Sequence, residues 1–113
     1  DTADKEIVKI SEVCNKIEET LEKIHDNMFK ECQDRLVEKT TIATTLDEFV
    51  NSMNSHQGFI KAMWCGDEAC EEKIKELTSA KSRCMPFVQE KLSDKCVCCG
   101  KSAEKMVVWG RQY

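Results

Sequence analysis

Apolar side chains in the first third of the chain fall at Ile7, Ile10, Cys14, Ile17, Leu21, Ile24 and Met28, in alternating steps of three and four. Steps of that kind put all of them on one stripe of an α-helix. The intervals become four and four at Cys32 and Leu36, which rotates the stripe away from a strict heptad repeat. The pattern predicts a long amphipathic helix from about Ala3 to Val37. Glu12 with Lys16, and Glu19 with Lys23, are spaced for favourable pairs on its wet face. Such a seam suits a helix packed on its own domain or a coiled-coil partner helix.

The β-branched, hydroxyl-rich run Lys39-Thr40-Thr41-Ile42-Ala43-Thr44-Thr45 suits a short extended connector, and Thr45 stands where it can cap a helix beginning at Leu46. Leu46, Phe49, Val50 and Met53 mark that second helix, Leu46 to Ser55, with Asp47 and Glu48 in the first turn where the helix dipole favours them. Gly58 breaks the pattern, and Phe59 to Trp64 comes next as a short buried strand. Glu68 to Thr78 reads as a helix with Cys70, Ile74 and Leu77 along one face, and Ser79 to Ser82 as its exit. Arg83 to Phe87 is expected to be a strand ended by Pro86, the only proline, which has no N–H for a ladder. Met106 to Trp109 is the clearest strand, with Gly110 as its end. The predicted class is α+β, a long amino-terminal amphipathic helix plus a small mixed α/β metal-binding domain. The character of the chain changes near Ser55, where helix gives way to small, Cys-rich elements.

A length of 113 residues allows one domain or a fragment of a longer chain. Apolar residues make up 41%, charged residues 34% and aromatic residues 6%, so much of the helical surface must be wet. The net charge of −4 comes without a basic stripe, which disfavours direct nucleic-acid binding by this segment alone. Apolar runs reach only four or five residues, against the roughly 20 needed to cross a bilayer. With a charged amino end in place of a signal peptide, a soluble, cytoplasmic chain with no membrane partner is expected. A start at Asp1 without an initiator Met suggests an excised piece.

Eight cysteines in a chain without a secretion signal favour metal over disulfides. Two close pairs, Cys65 with Cys70 and Cys96 with Cys99, are separated by a stretch long enough to fold back. Each short turn can present two sulfurs about one tetrahedral edge apart. Gly66 and Gly100 follow a ligand in each pair, and a residue without Cβ lets backbone N–H groups turn toward bound sulfur. Four soft thiolates favour Zn2+, and a closed shell leaves no position for substrate, so such a site holds structure. The resulting −2 charge would be offset in part by Lys95, Lys101 and Arg83. Cys98 offers an alternative fourth ligand, although the three-residue step followed by glycine favours Cys99. Buried free thiols, disulfides and an iron–sulfur cluster are the competing uses of these residues. Cys14, Cys32 and Cys84 are expected to be core thiols, and His25 and His56 surface residues without a catalytic partner. The four glycines are scattered singly and form no phosphate loop.

The stretch Gly58-Phe59-Ile60-Lys61-Ala62-Met63-Trp64-Cys65-Gly66-Asp67-Glu68-Ala69-Cys70-Glu71 resembles the zinc-domain signature of prolyl-tRNA synthetases of the archaeal and eukaryotic type. Thr78 to Phe87, Cys96-Val97-Cys98-Cys99-Gly100-Lys101 and Trp109-Gly110-Arg111-Gln112-Tyr113 are similar to the later segments of that family. The resemblance is clear over Asn51 to Tyr113 and extends to the long helix, which in the family joins the anticodon-binding domain to the zinc domain. It implies residues 1–45 as linking helix and connector, and 46–113 as the carboxyl-terminal zinc-binding domain. It also implies Cys65, Cys70, Cys96 and Cys99 as the Zn2+ ligands, and Tyr113 as a terminus that helps order the active site.

The resemblance implies a non-catalytic appendage, since none of the class II synthetase motifs is present in this chain. The parent enzyme of such a domain is a homodimer that uses ATP and Mg2+ to activate proline and attaches it to tRNA(Pro). Partners of the segment would then be the catalytic and anticodon-binding domains of the same enzyme. Two other classes compete. A free-standing interaction module would use the long helix and a zinc knuckle to bind a protein, and a thiol redox enzyme would need a reactive thiolate at Cys96 or Cys99.

Overall fold

The computed structural model describes residues 3–55 and 58–112. Two compact units divide between Val37 and Glu38.

In the first unit a 3-10 turn, Ile10–Glu12, leads into α1, Val13–Glu38. The helix therefore starts about ten residues later than its periodicity predicts. Lys9, at the N-cap, is extended and offers no capping side chain, and Ala3 has a left-handed φ of 59°. The preceding segment runs back along the helix: Ala3, Asp4, Glu6 and Val8 line one groove with Ile17, Leu21 and Ile24. Lys16 pairs with Glu6 at 2.9 Å, so the ion pair forms across that return and not along the helix with Glu12. No residue of α1 is buried. The seam residues Ile17 and Leu21 are 53% and 61% exposed. Cys14 and Cys32 are exposed too, and are not the core thiols that the seam predicts.

The second unit is a four-stranded sheet, ordered β1-β2-β4-β3, with β1 Thr40–Ile42, β2 Phe59–Trp64, β3 Ala80–Cys84 and β4 Lys105–Arg111. β1 runs parallel to β2, as a connection through the helix α2, Leu46–Ser55, allows. β4 is antiparallel to both β2 and β3. Thr45 and Glu48 form a capping box for α2: Glu48 N–H donates to Thr45 Oγ1 at 3.3 Å, and the Glu48 carboxylate accepts from Thr44 N–H, Thr44 Oγ1 and Thr45 N–H. The carboxylate is held below its usual range mainly by the Thr44 hydrogen bonds.

The last helix, α3, spans Glu68–Thr78. Its Asp67 N-cap accepts from Ala69 N–H at 3.0 Å, and Ser79 ends it in a left-handed conformation with its N–H on Lys75 O. Because that stop is immediate, β3 begins at Ala80, three residues before the strand expected at Arg83 to Phe87. A bulge near Ser82 to Cys84 interrupts its register, and the chain leaves the sheet before Pro86. Cys84 is exposed on this edge strand, again not a core thiol.

β4 also differs from expectation. Gly110 does not end the strand but lies within it, opposite Phe59 and Lys81. A Cβ there would meet the Phe59 ring at 3.0 Å, so glycine fits because the aromatic ring lies over it.

Ile60 and Ala62 of β2 share a sheet face with Val107 and Trp109 of β4, and Phe49, Met53 and Ile74 from the two helices cover it. Trp109 is fully buried, edge-to-face with Phe49 and Trp64 at 5.9 and 6.4 Å. On the opposite face Met63 and Met106 join Cys70, Cys96 and Ala103 in a second cluster. Gln89 lines this side by mimicking a strand: Met106 N–H donates to its side-chain oxygen at 2.6 Å, and its NH2 donates to Met106 O at 3.2 Å.

Candidate metal centre

Two loops bring four sulfurs together at one end of this sheet. The first loop leaves β2 at Trp64 and enters α3. Gly66 takes φ +90°, a conformation that favours glycine, and the chain then turns so that Asp67 caps the helix. Trp64 Nε1–H donates to Asp67 O at 3.2 Å, tying the loop to the strand. Cys65 thus stands before the turn and Cys70 in the first turn of α3, with their Sγ atoms 3.7 Å apart.

The second loop is held by main-chain bonds. Cys96 N–H donates to Lys101 O at 2.7 Å, and Gly100 N–H to Cys96 O at 3.0 Å. Val97 N–H donates to Met63 O at 2.9 Å, which fastens this knuckle to β2. Gly100 adopts φ +71°. Cys99 Sγ reaches 3.7 Å from Cys65 Sγ.

Sulfur atoms of Cys65, Cys70, Cys96 and Cys99 all lie within 4.8 Å of one another. A Zn–S bond of about 2.3 Å in a tetrahedron requires S···S edges of roughly 3.8 Å, and the two 3.7 Å separations match that edge. Burial is graded across the group: Cys70 and Cys96 are buried, Cys65 is half-buried and Cys99 is exposed.

The electrostatics suit a bound cation. Burial pushes the Cys96 thiol up, but backbone N–H groups of Cys99, Cys98 and Cys65 outweigh it and bring it down to about 7. Those N–H groups would serve a metal-bound thiolate in the same way. Burial raises Cys65 despite the Asp67 N–H, and raises Cys70, which also faces neighbouring sulfur. A cation bound among these sulfurs would favour the thiolate forms that burial otherwise disfavours. Cys98 is half-buried and packs against both core clusters.

Lys73 of α3, which sequence spacing did not single out, faces Cys98. Arg83, expected near the site charge, instead donates from Nε and an NH2 group to Gly110 O at 3.2 and 3.1 Å. His25 is exposed. His56 and Tyr113 lie outside the described residues.

Residues 46–113 match the family described as prolyl-tRNA synthetase, C-terminal. The chain belongs to that family. It is 52% identical over its whole length to a proline–tRNA ligase of Clostridium botulinum (strain Loch Maree / Type A3), of which it covers 24%. A proline–tRNA ligase of Lachnospira eligens is 51% identical over the same span. Among solved structures, prolyl-tRNA synthetase from Cryptosporidium parvum complexed with L-proline and AMP superposes with a TM-score of 0.84. That pair shares 32% identity over 97% of this chain and 24% of the other. The chain therefore spans about a quarter of the length of the relatives it matches. Among the described residues, no helix is long and apolar enough to cross a membrane.

Proposed function

We propose that the four cysteines bind one Zn2+ that stabilises the carboxyl-terminal domain of a proline–tRNA ligase. In this reading residues 1–45 are the linking helix and connector, and 46–113 the zinc-binding domain. The observation that carries the metal assignment is the sulfur geometry, with 3.7 Å edges and all four atoms within 4.8 Å. Cys65, Cys70, Cys96 and Cys99 supply all four tetrahedral positions, so the metal cross-links β2, α3 and the second knuckle without an open coordination site.

The parent enzyme attaches proline to tRNA(Pro) with ATP and Mg2+, acts as a cytoplasmic homodimer and carries the chemistry in other domains. The relative bound to L-proline and AMP supports that assignment of substrates. Met85, Phe87 and Val88, which are 56%, 107% and 80% exposed, offer apolar surface for contact with those catalytic and anticodon-binding domains. Tyr113 helps to order the active site.

Native mass spectrometry of the 113-residue chain tests the metal assignment. One zinc per chain in the wild type, lost on Cys65→Ser, is expected. A wild-type chain that carries no metal after refolding with Zn2+ under reducing conditions would overturn it.

A further inference from the structure

Five thiols, not four, surround this end of the sheet. Cys98 lies at the turn between two proposed ligands, half-buried, while its neighbour Cys99 is exposed. Its side chain touches both core clusters and faces the Cys70 sulfur and the Lys73 ammonium. The turn that carries it is anchored at both ends, by Cys96 N–H on Lys101 O and by Val97 N–H on Met63 O. Gly100, on the far side of the turn, has φ +71° and nothing within 4 Å of where a Cβ would stand, and its N–H closes the turn on Cys96 O at 3.0 Å. The ligand most open to solvent chemistry thus has a sheltered thiol beside it, one residue earlier on the same turn.

We propose that Cys98 is a reserve ligand, which takes the fourth position on zinc when the Cys99 thiolate is lost. This rests on the four-cysteine zinc site proposed for the domain. In the exchange the bond between zinc and the Cys99 sulfur breaks. Cys98 passes its thiol proton to solvent water, and its sulfur forms the replacement bond. When an alkylating agent such as iodoacetamide causes the loss, the Cys99 sulfur gains an S–C bond and iodide departs. Four thiolates surround the metal before and after, so the −2 charge of the site is unchanged.

The experiment compares wild type, Cys98→Ser, Cys99→Ser and the double variant, each loaded with Zn2+ for native mass spectrometry and with Co2+ for absorption spectra of the ligand field. Wild type, Cys98→Ser and Cys99→Ser are each expected to hold one metal in a four-thiolate site. The double variant should show a three-thiolate spectrum and bind at least about 10-fold more weakly, the lower end for loss of a group supporting a metal. A Cys99→Ser protein with the spectrum and affinity of the double variant overturns the reserve role. So does loss of metal from Cys98→Ser alone, which would make Cys98 the primary ligand.

A second measurement needs no substitution at Cys99. After one iodoacetamide label on Cys99, the wild type should keep its zinc and Cys98→Ser should release it. Equal release from both would count against the exchange. Absence of zinc from unlabelled wild type would sink the four-cysteine reading itself, so the two failures are told apart.

Discussion

Replacing Gly58 by Ala tests how the short parallel strand β1 is attached to β2. An added Cβ would stand 2.0 Å from the Lys39 carbonyl oxygen and 2.9 Å from its carbonyl carbon. Ordinary contact begins at 3.4 Å, so main chain, not a flexible side-chain tip, must retreat by about 1.4 Å. The same oxygen accepts from Phe59 N–H at 2.8 Å, at the start of the register that pairs Thr40 with Phe59. Loss of that bond costs about 1 kcal/mol, and forcing atoms into a filled space adds roughly 1–3 kcal/mol, for a total of about 2–4 kcal/mol. Urea unfolding of the zinc-saturated chain reads the sum, and amide hydrogen exchange at Phe59 reads its location. Gly66→Ala is the control: nothing lies within 4 Å of that position, so only the left-handed backbone matters, at roughly 1–2 kcal/mol. A Gly58→Ala protein less destabilised than Gly66→Ala, with Phe59 still protected, would refute the account.

Ile74→Ala empties a fully buried position under the sheet and should cost about 2–5 kcal/mol in the same unfolding measurement. Thr45→Ala removes the cap of α2 and should cost about 1 kcal/mol. Glu48, whose carboxyl is held below its usual value of 4.5 by Thr44 and Thr45, stabilises the fold above that pH. Its contribution fades as pH falls further, through the lowered folded-state value, so Glu48→Gln should flatten the acid limb of the stability curve. Cys65 and Cys70 are held above 9.0 and must each release a proton to bind metal. Zinc affinity should therefore fall at least about 100-fold per pH unit below neutrality in chelator-competition titrations. Verified metal removal should raise hydrogen exchange in α3 far more than in α1. Unchanged exchange in α3 would contradict a folding role for the metal.

Elements whose signals are local are legible in the sequence. α2 and α3 carry their own apolar stripes and caps, Thr45 with Glu48 and Asp67, and β2 is a compact apolar run after a glycine. The candidate ligand set is legible for the same reason, since each knuckle positions its two sulfurs within a few residues of chain. Positions that depend on distant neighbours are not. Gly110 is part of β4 because the ring of Phe59 lies over it, and Gln89 completes the edge of that strand from 17 residues away.

The apolar seam of α1 shows the limit in the other direction. Periodicity reports which face of a helix is apolar, yet Cys14, Ile17, Leu21 and Cys32 are exposed. Periodicity and short-range turn chemistry therefore determined α2, α3, the body of α1 but not its start, the central strands and the paired cysteines, because those features are set by backbone geometry over a few residues. Burial, strand register and the meeting of the two knuckles were decided only by tertiary structure, because each requires a surface supplied by another part of the chain.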